Sequence, residues 1–115
     1  KQEIVIVSPF ATKRRLQQAM PLLISFTQKQ ITVTVLTRPA SDYKDGAALQ
    51  TLFTQMQAGG ISTVFKSNIH QKFALLDRSI VWYGSVNLLG YGRSEETLMR
   101  LESASIACEL LKSLQ

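Results

Sequence analysis

The sequence predicts an α/β (α+β) fold in which a mixed β-sheet is flanked by helices. Apolar runs rich in β-branched residues alternate with amphipathic segments in the order β-α-β-α-β-β-β-α, which is typical of a sheet covered by helices. The chain has 115 residues, 45% hydrophobic and 18% charged, as expected for one globular domain, 1–115. These values exclude a disordered tail, a collagen and a coiled coil. No stretch approaches the ~20 apolar residues of a membrane span.

The first strand and helix follow from residues 3–28. The run 3–7 (EIVIV) is apolar without alternation, which indicates a buried strand. Thr12 can cap a helix over 13–28, whose apolar residues recur at helical spacing. Pro21 is predicted to kink or interrupt this helix, because its ring removes a backbone donor.

The next three elements alternate between strand and helix. The stretch 31–37 (ITVTVLT) is dense in β-branched residues and predicts a strand. A loop over 38–42 leads to a helix over 46–58, which Gly59 and Gly60 should end. A third strand is predicted over 62–66.

The last part of the chain is predicted to contain three strands and a helix. Two strands, 70–76 and 79–83, flank Asp77-Arg78 and form a tight hairpin. A loop rich in Gly and Ser follows over 84–94. The remaining predicted elements are a strand over 97–101 and a helix over 103–114.

Charge and single residues narrow the function further. Thirteen Lys and Arg against eight Asp and Glu give +5 and a pI near 9.7. Such a balance suits nucleic acid or an anionic membrane surface, although many basic domains have no polyanionic partner.

One His and one Cys exclude a multi-His/Cys metal site and an intrachain disulfide. Cys108 is expected to be a small buried hydrophobe in a reducing, cytoplasmic compartment. Because the chain opens with Lys1, we interpret it as an excised domain or a processed chain.

Polar residues that suit a phosphate ester cluster in the hairpin region. His70 and Lys72 are two residues apart on a predicted strand and should share a face. Ser85 and Asn87 have the same spacing just after the returning strand. Lys72 supplies charge, Ser85 and Asn87 supply donors, and His70 supplies a nucleophile or proton carrier. Asp77 has the opposite parity, so we expect it to brace the hairpin or pair with a backbone or cationic group.

These residues resemble the HKD signature of the phospholipase D superfamily, H-x-K-x(4)-D-x(6)-G-S-x-N, with all six fixed positions present. The resemblance implies a phospholipase D-like fold and a phosphodiesterase that needs no metal or cofactor. It implies that His70 is the nucleophile or general acid, that Lys72 and Asn87 clamp the phosphate and that Ser85 is a supporting donor. The resemblance further implies that Asp77 is the structural member of the catalytic signature.

The resemblance also implies a Glu that holds the imidazole through its other nitrogen. Glu96 is the candidate, because it precedes the predicted strand 97–101, and its neighbour Glu95 is the second choice. Relatives often carry Asn two residues before this Glu, whereas Ser94 stands there in this chain.

The mechanism implied by the family uses two histidines, and this chain has one. Either two chains form a homodimer with His70 of each at one site, or a second half lies outside the segment. With the homodimer, we expect a metal-independent nuclease, with DNA the favoured substrate. The alternatives are a non-catalytic DNA-binding module of a larger helicase or restriction protein, and a phospholipid phosphodiesterase.

Other basic and aromatic residues are weaker candidates for nucleic-acid contacts. Lys13, Arg14 and Arg15 lie in the first helical turn, where the helix dipole disfavours cations. This placement indicates either a solvated basic turn, the favoured interpretation, or an external anion such as a DNA phosphate. Arg93 in the predicted loop is a further candidate. Trp82 and Tyr83 are expected to pack in the core, with base stacking as the minor alternative.

Overall fold

The computed structural model describes residues 2–9, 11–44, 46–69, 71–84 and 98–114, with the backbone alone for 84, 98 and 99. The strands are β1 (Glu3–Val7), β2 (Thr32–Thr37), β3 (Ser62–Phe65), β4 (Phe73–Leu76), β5 (Ile80–Gly84) and β6 (Leu98–Glu102). The helices are α1 (Lys13–Gln28), α2 (Gly46–Ala58) and α3 (Ala104–Lys112), with a short 3-10 turn over Ala40–Asp42 in the predicted loop.

The strands form one mixed sheet in the order β3-β2-β1-β4-β5-β6. β1, β2 and β3 are parallel, whereas β4 is antiparallel to β1 and the pairs β4–β5 and β5–β6 are antiparallel. The predicted α/β class with a mixed sheet is therefore confirmed. One edge of the sheet contains the C-terminal ends of β1, β2, β3 and β5 and the N-terminal ends of β4 and β6. We call it the Lys72 edge, and the opposite edge the turn edge.

Alternate residues of the central strands fill two separate cores. Ile4 and Ile6 face α1 and α2, whereas Val5 and Val7 face α3. The core beneath α1 and α2 includes the fully buried Phe53. Because both sheet faces are covered, the central strands are apolar on both sides, as the run 3–7 predicted.

Helix α1 runs unbroken through Pro21. Thr12 caps it by accepting a hydrogen bond from the Arg15 amide at 3.2 Å, as predicted. Of the predicted kink or interruption at Pro21, the interruption is wrong, because Leu16, Met20 and Leu23 bury one face of the helix on both sides of the proline. That burial outweighs the single backbone hydrogen bond that proline removes. The kink stays a prediction.

The hairpin is present, but β4 is shorter than predicted. It begins at Phe73 instead of residue 70, because its partner β1 ends at Val7, opposite Phe73, and Pro9 follows closely. At the other end, Asp77 and Arg78 have φ values of 55° and 57°, the signs of a type I′ turn. The Ser79 amide donates to the Leu76 carbonyl at 3.1 Å, so Ser79 belongs to the turn.

Two burial expectations are wrong. Cys108 is exposed, because the α3 stripe that faces the sheet contains Ala107 and leaves Cys108 beside it. Tyr83 is 45% exposed, whereas Trp82 is half-buried and packs against the core beneath α1 and α2. Within the described ranges, no helix has the length and apolar character needed to cross a membrane.

Candidate active site

Lys72 and Gly84 bring two parts of the signature to one edge of the sheet. Lys72 is half-buried and directly precedes β4, and Gly84 is the last residue of β5. The two strands pair with Phe73 opposite Tyr83, so both positions lie at the Lys72 edge. Six predicted site residues lie outside the described part of the chain: His70, Ser85, Asn87, Arg93, Glu95 and Glu96.

The strand-parity argument for His70 and Lys72 does not apply. It required both residues to lie on β4, which begins only at Phe73. Phe73 is 1% exposed and packs in the core beneath α3, which anchors the backbone directly after Lys72. Lys72 is thus held at the start of the strand by its neighbour's burial.

Asp77 lies at the turn edge, far from Lys72. The four residues of β4 separate the two, which at a rise of about 3.3 Å per residue amounts to roughly 16 Å along the strand. The Asp77 Oδ1 atom accepts a hydrogen bond from the Glu3 amide at 2.7 Å, and the Asp77 amide donates to the Glu3 carbonyl at 2.8 Å. The carboxylate therefore ties the turn to β1, the backbone pairing expected from the sequence.

Arg78 strengthens the same link between the turn and β1. Its Nε atom donates to the Glu3 Oε1 atom at 2.6 Å in a largely exposed ion pair. The hydrogen bond and the negative charge of Glu3 raise the pKa of the Arg78 guanidinium. Asp77 and Arg78 together thus stabilise the hairpin, and the structure does not bring them to Lys72.

Positive charge gathers at the Lys72 edge. Helix α1 begins there, since only residues 8–12 join it to β1, and its first turn holds the exposed Lys13, Arg14 and Arg15 with no acidic residue. The N-terminus of a helix carries a positive partial charge of its own. An anion at this edge would therefore meet both side-chain cations and a helix dipole of favourable sign.

Tyr43 links the ends of β1 and β2 at this edge. Its hydroxyl donates to the Pro9 carbonyl at 2.9 Å and lies 2.8 Å from the Thr37 Oγ1 atom. Burial raises the pKa of the Tyr43 phenol above its usual value of 10.0. Sequence reasoning missed this residue, because a lone aromatic in a loop has no local pattern that reveals its partners.

Three further contacts at this edge were also missed, and they concern the segment 66–72. Lys66 donates to the Leu114 carbonyl, and Gln71 Nε2 donates to Ser113 Oγ at 3.2 Å. Arg38 Nη2 donates to the Ile69 carbonyl at 3.4 Å. Each contact joins residues at least 31 positions apart, so no short-range signal could have found them.

Within the described part of the chain, neither a metal cluster nor the groove between α1 and α2 includes Lys72. Among the residues that the structure describes, no group of three or more His, Cys, Asp or Glu side chains could hold a metal ion. A groove of about 520 Å³ lies between α1 and α2, lined by residues such as Met20, Ile24 and Leu52, and Lys72 does not line it.

Comparison with known proteins identifies the family. A family model described as "Cardiolipin synthase, PLD-like domain" matches residues 1–115. The chain belongs to this phospholipase D-like family. The resemblance of the signature from His70 to Asn87 to the phospholipase D superfamily is thereby confirmed. A comparison with curated protein sequences found no match.

Two solved structures share the fold of this phospholipase D-like chain. The crystal structure of a phospholipase D family member, Nuc from Salmonella typhimurium, aligns with a TM-score of 0.72 and 18% identity, covering 96% of this chain and 74% of Nuc. NucT from Helicobacter pylori aligns with a TM-score of 0.64 and 16% identity, covering 96% of this chain and 75% of NucT. At such identities the likeness establishes the architecture alone.

Proposed function

We propose that this chain is a metal-independent phosphodiesterase, a nuclease that cleaves nucleic acid through a phospho-histidine formed on His70. The observation that carries the proposal is the complete signature in a phospholipase D-like chain, with Lys72 and Gly84 at one sheet edge. Membership of the family supports phosphodiesterase chemistry. The histidine intermediate, the shared site and the nucleic-acid substrate are what we propose for this chain.

The reaction needs one nucleophile and one proton carrier. In the first step an imidazole nitrogen of His70 attacks phosphorus, the bond to the leaving oxygen breaks, and a second imidazolium gives that oxygen its proton. In the second step the same second imidazole takes a proton from water, and the resulting hydroxide breaks the P–N bond. The products are an alcohol and a phosphate monoester, and both histidines return to their starting state.

The remaining signature residues have stabilising roles in this proposal. Lys72 and Asn87 hold the non-bridging oxygens, on which negative charge develops, and Ser85 is a further donor. Glu96, or Glu95 as the second choice, would accept a hydrogen bond from the other imidazole nitrogen and so keep His70 in one orientation. Asp77 contributes to the fold of the hairpin and not to the reaction.

The second histidine must come from another chain or another segment. The sequence contains only His70, so one copy cannot be both nucleophile and general acid. A symmetric homodimer supplies the missing group most simply, because a two-fold axis brings the same residue of both chains to one place.

Charge favours nucleic acid as the substrate. The chain carries +5, and Lys13, Arg14 and Arg15 are exposed at the edge that holds Lys72. Arg93 is proposed as an additional contact. The names Nuc and NucT of the two structural neighbours agree with this choice. A cytoplasmic location is part of the proposal, and the free Cys108 suits a reducing compartment.

Two other functions remain as alternatives. The description of the matching family names cardiolipin synthase, which favours phospholipid chemistry as the first alternative. The second is a DNA-binding module of a larger helicase or restriction protein, which would use the basic edge without turnover.

Cleavage in a chelator tests the proposal. Labelled single- and double-stranded DNA is incubated with the protein in excess EDTA, beside His70→Ala, Lys72→Met and the control Lys29→Met, an exposed lysine after α1. Cleavage by wild type and Lys29→Met, but not by the first two variants, supports the nuclease. A strict need for Mg²⁺, or full activity of His70→Ala, contradicts it. Salt-sensitive binding without cleavage favours the DNA-binding module, and release of a head group from vesicles favours the lipid enzyme.

A further inference from the structure

The segment 66–72, which carries His70 in the sequence, crosses from β3 to β4 without a helix or strand among its described residues. Such a connection has few backbone hydrogen bonds of its own. Contacts with neighbouring elements therefore help to set the conformation of its described residues. The neighbour in this case is the end of α3, which runs from the turn edge back to the Lys72 edge.

Lys66 makes the first contact, where the segment begins. Its ammonium group donates to the carbonyl of Leu114, and the contact is partly buried. Leu114 follows the Ser113 C-cap of α3, and its partly buried carbonyl needs a donor, which the lysine supplies. The start of the segment is thereby fastened to the residues that follow α3.

Gln71 makes the second contact, at the far end of the segment. Its Nε2 atom donates to the Ser113 Oγ atom at 3.2 Å, and the same hydroxyl donates to the Leu110 carbonyl at 2.6 Å. Because the serine proton is engaged with α3, the oxygen is free to accept from Gln71 in a fixed direction. Gln71 is the covalent neighbour of His70 on one side.

Ile69, the covalent neighbour on the other side, is fixed by burial. Its side chain is 1% exposed and belongs to the core beneath α3, together with the fully buried Ala107. Its carbonyl also accepts a hydrogen bond from Arg38 Nη2 at 3.4 Å. Both neighbours of His70 are thus held, and α3 takes part on each side.

We propose that Lys66, Gln71 and Ser113 are positioning residues, through which the C-terminal end of α3 sets the orientation of the His70 imidazole. The proposal rests on the function proposed above, since it concerns the group that attacks phosphorus. A nucleophile displaced by about 1 Å loses on the order of 100-fold in rate. The contacts should therefore affect the chemical step more than substrate binding.

The variants distinguish an effect on the position of His70 from an effect of lost charge or of lost protein stability. Lys66→Met removes the donor, and Lys66→Arg retains both charge and donor. Gln71→Ala removes a contact without changing charge, and it serves as the second variant if Lys66→Met folds poorly. Controls are Lys29→Met, at the turn edge, and Ser25→Ala, whose hydroxyl donates to the Leu22 carbonyl at 2.6 Å just as Ser113 does to Leu110. Ser113→Ala is compared with Ser25→Ala.

Two readouts decide the outcome. Hydrolysis of bis(p-nitrophenyl) phosphate gives kcat and KM without long-range steering of a polyanion. The chain has a single histidine, so imidazole NMR gives one titration curve, which reports on His70 whether or not the protein is an enzyme. Melting curves of all variants show whether each one is folded.

We expect Lys66→Met to lower kcat by about 10- to 100-fold with KM within about twofold, and Lys66→Arg to restore most of the rate. Gln71→Ala and Ser113→Ala should lower kcat less and should alter the His70 chemical shifts, whereas both controls leave them unchanged. Folded Lys66→Met and Gln71→Ala variants with wild-type kcat and wild-type imidazole shifts would overturn the proposal. An inactive wild type would refute the proposed function alone, because the imidazole shifts would still decide whether α3 positions His70.

Discussion

Substitution of Asp77 tests whether this signature residue acts on structure or on substrate. Its Oδ1 atom accepts the Glu3 amide at 2.7 Å, and its backbone has a φ of 55°. The first property needs an acceptor on the side chain. The second favours Asp, Asn or Gly over residues that avoid the left-handed region. Three substitutions therefore separate the two contributions: Asp77→Asn, Asp77→Gly and Asp77→Ala.

The magnitudes follow from these two contacts with the backbone. A hydrogen bond to a charged group contributes about 1.5 kcal/mol or more, and this exposed one should lie at the lower end. Alanine at a left-handed position costs a further ~1 kcal/mol. We expect a loss of about 2–3 kcal/mol for Asp77→Ala, about 1.5 kcal/mol for Asp77→Gly and under about 1 kcal/mol for Asp77→Asn, which keeps an acceptor oxygen.

Denaturant and thermal unfolding at one fixed protein concentration measure these differences, because an associating protein has a concentration-dependent midpoint. For a chain of this length, about 4 °C of melting temperature corresponds to each kcal/mol, so Asp77→Ala should melt roughly 8–12 °C lower. Hydrolysis is assayed well below every midpoint, and kcat should stay within about twofold of wild type for Asp77→Asn.

The result that would refute this reasoning is a stable Asp77→Asn protein whose kcat falls by about 100-fold or more. Such a loss would require the carboxylate to act at the phosphate, although the four residues of β4 separate it from Lys72. Equal stability of Asp77→Ala and wild type would refute the structural role as well.

Three further outcomes are expected. Tyr43→Phe should lower the free energy of unfolding by about 1–2 kcal/mol near pH 8, because the phenol donates to Pro9. Burial raises the Tyr43 pKa above 10.0. The contribution of the phenol to stability is therefore complete below pH 10 and is lost as the pH rises through the raised value, so the unfolding curves of wild type and variant should converge only at alkaline pH. Gly46→Ala should destabilise the protein by about 1–3 kcal/mol in urea unfolding, because the new Cβ would lie 2.6 Å from the Ala40 carbonyl oxygen; a more stable variant would contradict this. The exposed Cys108 should react fully with Ellman's reagent in the native protein, and a thiol that reacts only after denaturation would contradict the observed burial.

The elements that the sequence predicted are those with a local cause. The run 3–7 became β1, Thr12 caps α1, and Asp77-Arg78 forms the turn. In each case the pattern lies within a few residues of the element. The signature likewise predicted the family, because its fixed positions are all written between His70 and Asn87.

The features that escaped prediction depend on distant partners. β4 begins at Phe73 because β1 ends at Val7, a fact that no residue near His70 reveals. The hydroxyl of Tyr43 meets a carbonyl 34 positions away, and Lys66 meets one 48 positions away. Cross-strand register and loop docking of this kind emerge only when the sheet is assembled.

Cys108 illustrates a different limit. Ala107, Leu110 and Leu111 form the face of α3 that packs on the sheet, and Leu114, just after the helix, continues the spacing of three and four residues. A rotation of one residue, about 100° around the helix, decides whether Cys108 joins that face. Composition alone predicted burial, whereas the phase of the apolar stripe leaves the thiol in solvent.

The central claim is that two chains share one site, each bringing its His70, and subunit mixing tests it most directly. Wild-type and His70→Ala chains are unfolded together, refolded in varied ratios and assayed in EDTA. If each site needs both histidines, activity falls with the square of the wild-type fraction, so an equal mixture retains about one quarter of the activity. A linear fall, to about one half in the equal mixture, would show that one chain suffices and would contradict the account.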